Sequence, residues 1–211
     1  GIFKRLSKCA SLHNKENFVL IIDEINRGNI SKIFGELITL LENDKRGDEV
    51  TLPYSKKLFS VPKNLYIIGT MNTADRSLVH IDAALKRRFG QYELMPDYSI
   101  LDSKIDKIHL GILLENINQK IINAGFRDNQ IGHSYFMNDG NSITTKEELQ
   151  FAFAYDIVPL LKDNFYDDDK ILRDILGDGF IDENRDTVVE WIEDVDVFMR
   201  IIENAYPEAV E

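Results

Sequence analysis

FVLIIDEINR, Phe18 to Arg27, sets five apolar residues directly before two adjacent carboxylates, Asp23 and Glu24. A run of this kind, rich in Val and Ile, suits the buried central strand of a parallel sheet. At its carboxyl end the side chains leave the core and enter the crevice where open α/β sheets bind ligands. One carboxylate there can hold a metal-bound water, and the other can polarise an attacking water. That is Mg²⁺ and water chemistry at a nucleotide phosphate. The same residues also admit a plainer account, a strand followed by a helix cap, because Asp is a good N-cap. The residues further along favour the first account.

Working outward, the first half alternates strand and helix. Residues 1–17 predict irregular chain or a short helix of no clear type. Asn29 or Ser31 caps a helix that runs to about Glu42, with Ile33, Phe34, Leu37, Ile38, Leu40 and Leu41 at helical spacing. Residues 49–52 and 57–61 predict a β-hairpin around Pro53-Tyr54-Ser55. Leu65 to Gly69 reads as a second buried strand, Asp82 caps a short helix through Lys86, and Phe89 to Leu94 reads as a third strand closed by Pro96. Beyond Asp97 the pattern holds no convincing strand. Helices are expected over 105–124, 146–161, 169–176 and 185–205, with Trp191 in the core. The order is that of an α/β nucleotide-binding module, residues 1–97, followed by a helical lid, residues 98–211.

The charge is split in the same way. Residues 1–100 hold 15 Lys/Arg and 12 Asp/Glu, whereas residues 101–211 hold 10 and 24. The acidic second half is a poor nucleic-acid surface, since phosphate contact needs Lys and Arg. The lone Cys9 excludes an internal disulfide and a cysteine metal cluster. No apolar run approaches the ~20 residues of a membrane span, and residues 1–15 do not read as a signal peptide. These points predict a cytoplasmic protein with no membrane association.

The second strand ends in GTMNTADRS, Gly69 to Ser77. If the two strands are neighbours, Asn72 shares the crevice with Asp23 and Glu24. Its amide can donate to a γ-phosphate and accept from the attacking water, as a partner for a carboxylate base. Turn hydrogen bonds account for Asn72, Thr73 and Asp75 equally well when those residues are taken alone. Lys86-Arg87-Arg88 then ends the short helix. One basic residue suffices to complement a helix C-terminus; three suggest an arginine that neutralises a phosphoryl group, often one held by a neighbouring subunit. The Asp167-Asp168-Asp169 run does not have calcium-loop spacing and reads as a helix start. The aromatic residues Phe151, Phe153, Phe165 and Tyr166 read as lid core.

DEINRG, GTMNTADRS and ALKRRF, in this order and spacing, resemble the AAA+ module of the McrB family, the GTP-driven motors of modified-cytosine restriction systems. Ile131-Gly132-His133-Ser134-Tyr135-Phe136 and the stretch from Pro159 to Asp178 add to the resemblance, which covers about residues 18–180. The resemblance implies an incomplete AAA+ core, with Walker B and sensor-1 strands and a hairpin insert, followed by a helical lid. It implies Asp23 as the Mg²⁺ ligand through water, Glu24 as activator of the hydrolytic water and Asn72 as sensor 1. Arg87 or Arg88 becomes the finger acting across a subunit interface. Asn26, Arg27, Asp75 and Arg76 fall near the nucleotide or that interface, and His133 falls in the lid, where a structural hydrogen bond is an equal alternative. In some relatives such a hairpin faces the central pore, which would put Lys56 and Lys57 against a strand or a partner; exposed hairpin lysines more usually serve solubility. GTP or ATP is the implied substrate, a ring of subunits (usually six) the implied assembly, and a McrC-like nuclease and DNA the implied partners.

One departure stands out. The chain has no G-x-x-x-x-G-K-[ST] phosphate loop. The expectation is therefore a polypeptide that is inactive by itself and corresponds to the C-terminal part of such a module. Two other classes fit parts of the pattern: a remodelling ATPase of the MoxR or dynein-like type, and a non-catalytic interaction module.

Overall fold

The structure is a computed structural model, and it describes residues 1–72, 86–182 and 186–210. The chain divides into two compact units, Gly1–Glu93 and Leu94–Glu211.

In the first unit, Ile2–Leu12 forms helix α1. The segment expected to be irregular is thus an amphipathic helix, with Phe3, Leu6 and Ala10 facing a small core shared with Leu40, Phe59, Val61 and Leu65. Phe18–Ile22 is strand β1. Ile30–Phe34 is helix α2, and the Asn29 side chain caps it by accepting from the Lys32 amide at 2.9 Å. The single helix expected to reach Glu42 breaks at Gly35, whose φ of +51° belongs to the left-handed region, and continues as 3₁₀ turns over Gly35–Leu41. Val50–Thr51 and Leu58–Phe59 are β2 and β3, an antiparallel hairpin shorter than expected, with Tyr54 fully exposed at its tip. Leu65–Gly69 is β4.

β1 and β4 pair in parallel, Phe18 opposite Leu65 through Ile22 opposite Gly69. Side chains alternate across a strand, so one face carries Phe18, Leu20, Ile22, Leu65 and Ile67. These pack on α1 and on the 30–41 segment. The other face carries Val19, Ile21, Tyr66 and Ile68, each about half exposed or more (49–66%). The expected buried central strand is therefore covered on one face only among the described residues. Asn64 ties helix to sheet: its Nδ2 donates to the carbonyls of Ala10, His13 and Glu16 at 3.0, 3.1 and 2.7 Å.

The strand expected at Phe89–Leu94 does not form; the segment carries no ladder. An extended run becomes a strand only with a partner for its amides and carbonyls. The segment joins no strand ladder among the described residues, and Tyr92 and Leu94 are each 87% exposed. Of the helix expected over Asp82–Lys86, residues 82–85 lie outside the described residues.

The second unit surrounds helix α3, Leu110–Asn123. It is shorter than expected, because residues 104–109 form a tight hairpin of β5, Lys104–Ile105, and β6, Ile108–His109. A second small ladder joins β7, Met137–Asn138, to β8, Asn141–Ser142. These two-residue pairs correct the expectation of no strands, and they are too short to leave a period-2 signal. Lys146–Ala152 is α4, and Val158–Asn164 is α5. A π-helical turn, Phe153–Ile157, joins them and puts both Phe153 and Ile157 in the core. Asp169–Leu176 is α6, capped by the Asp168 carboxylate, which accepts from the Ile171 amide at 3.0 Å. The last expected helix is two, α7, Val189–Glu193, and α8, Val195–Ala205, parted by Asp194, which caps the second. Trp191 is fully buried and donates from Nε1 to the Phe180 carbonyl at 3.0 Å. Phe153 and Phe165 join this core, whereas Phe151 and Tyr166 are exposed, contrary to expectation.

Candidate functional site

The in-register pairing of β1 and β4 sets their carboxyl ends side by side. The ladder runs on past the strands. Thr70 N–H donates to the Ile22 carbonyl at 3.0 Å, and the Ile25 amide donates to the Thr70 carbonyl at 2.8 Å. Between these two bonds the Thr70 hydroxyl accepts from the Glu24 amide at 3.0 Å and donates to Oδ1 of Asp23. Two residues on, the Asn72 carbonyl accepts from Nδ2 of Asn26 at 3.2 Å. Asp23, Glu24, Asn26 and Asn72 thus belong to one pair of interlocked loops. Separation of Asn72 from the two acids would have sunk the catalytic reading of Asp23 and Glu24; the backbone brings them together.

Local sequence explains the close approach. A Cβ on Gly69 would stand 2.8 Å from Cδ1 of Ile25, so only glycine lets the buried Ile25 lie against the end of β4. Glu24 sits in the left-handed region, φ 49° and ψ 51°. A non-glycine residue held there stores of order 1–2 kcal/mol, and such positions cluster at functional sites. Asp23 and Glu24 are both exposed, as is Asn72. Glu24 pairs with Nε of Arg27 at 2.6 Å. Asn26 is 8% exposed, and its Oδ1 is buried without a hydrogen-bond partner among the described residues.

No three His, Cys, Asp or Glu side chains converge as a metal cage among the described residues. One or two carboxylates are what Mg²⁺ takes from a protein when phosphates and water supply the rest of its shell. The Asp23–Glu24 pair fits that donor set and does not fit a cage made of protein alone.

The two arginines differ. Nη2 of Arg88 contacts Oε1 of Glu42 at 2.7 Å, with the Arg88 side chain only 3% exposed. Arg87 is exposed, and with Glu42, Asn43, Asp44 and Arg88 it lines an open polar cleft of about 460 Å³. That cleft shares no residue with the Asp23–Asn72 loops. Asp75 and Arg76 lie outside the described residues.

His133 belongs to the second unit. Its Nδ1 accepts from the Asp97 amide at 3.0 Å. The Asp97 carboxylate in turn accepts from the Ser99 hydroxyl and amide at 2.6 and 3.0 Å, and these bonds, the hydroxyl first, hold its pKa below the usual value. The motif around His133 is fixed from below by Asn118, fully buried on α3, which exchanges two hydrogen bonds with the Ile131 backbone at 2.9 and 2.7 Å. His133 thus makes a structural hydrogen bond within its own unit.

Sequence reasoning gave Thr70 no role. The signal was present: once Ile22 is aligned with Gly69, residue 70 falls opposite Asp23, and a hydroxyl there reaches the acid. Asn118 left no such signal, since a polar residue on a helix reads as surface until its partner is known.

Comparison with known proteins agrees with both units. The AAA domain of the dynein-related subfamily matches residues 4–89, and the McrB alpha-helical lid domain matches residues 109–173. The McrB subunit of the type IV methyl-directed restriction enzyme EcoKMcrB of Escherichia coli K12 is 39% identical over 207 residues, covering 85% of this chain and 44% of its own length. The YdiS component of the type II restriction enzyme BsuMI of Bacillus subtilis 168 is 32% identical over 127 residues, covering 53% of this chain and 36% of its own length. The chain therefore spans less than half the length of these curated relatives. With β1 and β4 paired side by side in parallel, and an AAA segment followed by a McrB lid, the chain belongs to the McrB family of AAA+ proteins.

Proposed function

We propose that this chain supplies the water-activating half of a nucleoside-triphosphatase site in the motor of a restriction system. The observation that carries the reading is the pairing of β1 with β4, which brings the loops of Asp23, Glu24 and Asn72 together at the strands' carboxyl ends. Asp23 would hold Mg²⁺ through water beside the triphosphate; bound there, Mg²⁺ neutralises charge on the phosphate oxygens. Glu24, once released from Arg27, takes a proton from the attacking water. Asn72 orients that water against the γ-phosphate. Arg87 is the finger offered to a neighbouring subunit, because it is exposed whereas the Arg88 side chain is engaged by Glu42. Arg27, Asp75 and Arg76 serve the nucleotide or that interface, and Asn26 fixes the Asn72 loop by donating to its carbonyl.

The substrate is GTP or ATP. Catalysis of this type is positioning plus electrostatics. Without a phosphate loop the 211 residues by themselves should hydrolyse neither nucleotide. The working assembly is a ring, with DNA as the track, a nuclease subunit as partner and the cytoplasm as the location; among the described residues no helix is long and apolar enough to cross a membrane. The dynein-related match of residues 4–89 supports a second reading, a protein-remodelling motor. The McrB lid match favours the first.

Turnover of GTP and ATP by the full-length gene product and by its Glu24→Gln variant tests the reading. Loss of a positioned general base costs about 10²–10⁴-fold. Unchanged turnover in the variant, or intact-motor rates from the 211 residues alone, would sink it. Stimulation by DNA separates the restriction motor from the remodeller.

A further inference from the structure

Thr70 makes four hydrogen bonds, and all of them land on residues 22–25, the turn that carries both acids. Two of these use its backbone and would survive any substitution other than proline. The other two use its hydroxyl. A hydroxyl has one proton to give and lone pairs to accept. Here the proton goes to Oδ1 of Asp23 and a lone pair takes the Glu24 amide, so one oxygen atom grips both residues. The grip on Asp23 fixes which carboxylate oxygen is occupied within the protein and leaves the other for solvent or a hydrated ion. The grip on the Glu24 amide holds a left-handed residue whose conformation decides where its carboxylate points.

We propose that Thr70 is a positioning residue for the metal-binding and water-activating acids, acting through its hydroxyl. This rests on the roles given above to Asp23 and Glu24. Partners that orient a metal ligand are worth about 10–100-fold in metal affinity or activity, and Thr70 orients a ligand and a base at once. β-branched Val keeps the shape and the backbone bonds of Thr and removes only the hydroxyl.

The experiment compares Thr70→Val and Thr70→Ser with the parent in two settings. In the full-length gene product, Mn²⁺ affinity is read by electron paramagnetic resonance with a non-hydrolysable triphosphate, alongside kcat, nucleotide KM and the Mg²⁺ concentration for half-maximal turnover. In the 211-residue chain, hydrogen exchange is read at the Glu24 amide. Thr70→Val should weaken Mn²⁺ binding and lower kcat by about 10–100-fold in all, leave nucleotide KM and the melting temperature near the parent's, and speed exchange at Glu24. Thr70→Ser should restore most of each. Parent-like Mn²⁺ affinity and kcat in Thr70→Val overturn the proposal, as does a Ser variant no better than the Val variant. A parent that hydrolyses neither triphosphate strikes instead at the motor reading; exchange at Glu24 then decides Thr70, and an unchanged rate in Thr70→Val overturns it.

Discussion

The two units solve the problem of burying apolar surface differently. The described part of residues 94–211 wraps α3 in one continuous core of 29 buried hydrophobic residues, whereas the described part of residues 1–93 has two small cores of five and four. Among the described residues the first unit also leaves Val19, Ile21, Tyr66 and Ile68 on an open sheet face. Burial of apolar area is the main favourable contribution to folding, so the lid is equipped to hold itself together and the α/β unit less so. The chemistry proposed above sits on the unit with the smaller described cores. Its acids are placed by hydrogen bonds at strand ends and by one glycine, with little packing around them.

The largest effect that can test this contrast is in the lid core. Phe153 meets the rings of Phe136, Phe180 and Phe198 at centroid distances of 6.1, 5.4 and 5.5 Å. Phe153→Ala should cost about 3–5 kcal/mol in urea unfolding followed through Trp191 fluorescence. A loss below about 1 kcal/mol would mean that the core is loosely packed and that the two units are alike after all.

A middle-sized effect concerns how the lid starts a helix. Thr145 and Glu148 form a reciprocal capping box on α4, with the Glu148 amide donating to the Thr145 hydroxyl at 3.2 Å. Thr145→Ala should cost about 1 kcal/mol. The Glu148 carboxylate accepts from the Thr144 amide and from the Thr145 hydroxyl and amide. These bonds, the Thr144 amide first, lower its pKa from 4.5. A carboxylate whose folded pKa is depressed contributes stability above its unfolded pKa and loses it as the pH falls through the folded value. The difference between wild type and Thr145→Ala, measured by circular dichroism, should therefore be full at pH 6 and shrink below pH 4.5. A difference that grows on acidification would contradict the assignment.

The smallest effect is on the open sheet face. Ile21 is 66% exposed, so Ile21→Thr, which keeps a β-branched side chain, should change stability by less than about 0.5 kcal/mol. A loss above about 1 kcal/mol would show that this face is covered in the folded chain and would erase much of the contrast between the units.

Particular elements show what could be read early. β1 and β4 were visible because each is a run of five residues bounded by polar turns, and α6 because its Asp cap and its glycine stop bracket a clean helical period. The helix over 2–12 was obscured by polar residues on its outer face. The break at Gly35 was hidden inside a helical pattern, since a glycine reveals its positive φ only once the chain direction is known. The two-residue ladders carry too few residues for any period. The strand expected at 89–94 has the right residue types but joins no ladder among the described residues.

The sequence by itself determined the two five-residue strands, the predominantly helical second unit and the chemical types at the site, because hydrophobic period and side-chain chemistry are local properties. It pointed to Asp23, Glu24, Asn72 and the Arg87-Arg88 pair as candidates, and the family resemblance added Asn26, Arg27, Asp75, Arg76 and His133. Only the tertiary structure decided that Thr70 grips both Asp23 and Glu24, that Asn26 lies buried beneath Asn72, and that Arg88 turns to Glu42 while Arg87 stays exposed. Each of these depends on a register or a contact between residues far apart in the chain. A hydrogen bond spanning 46 or 47 positions leaves no mark on the neighbours of either residue.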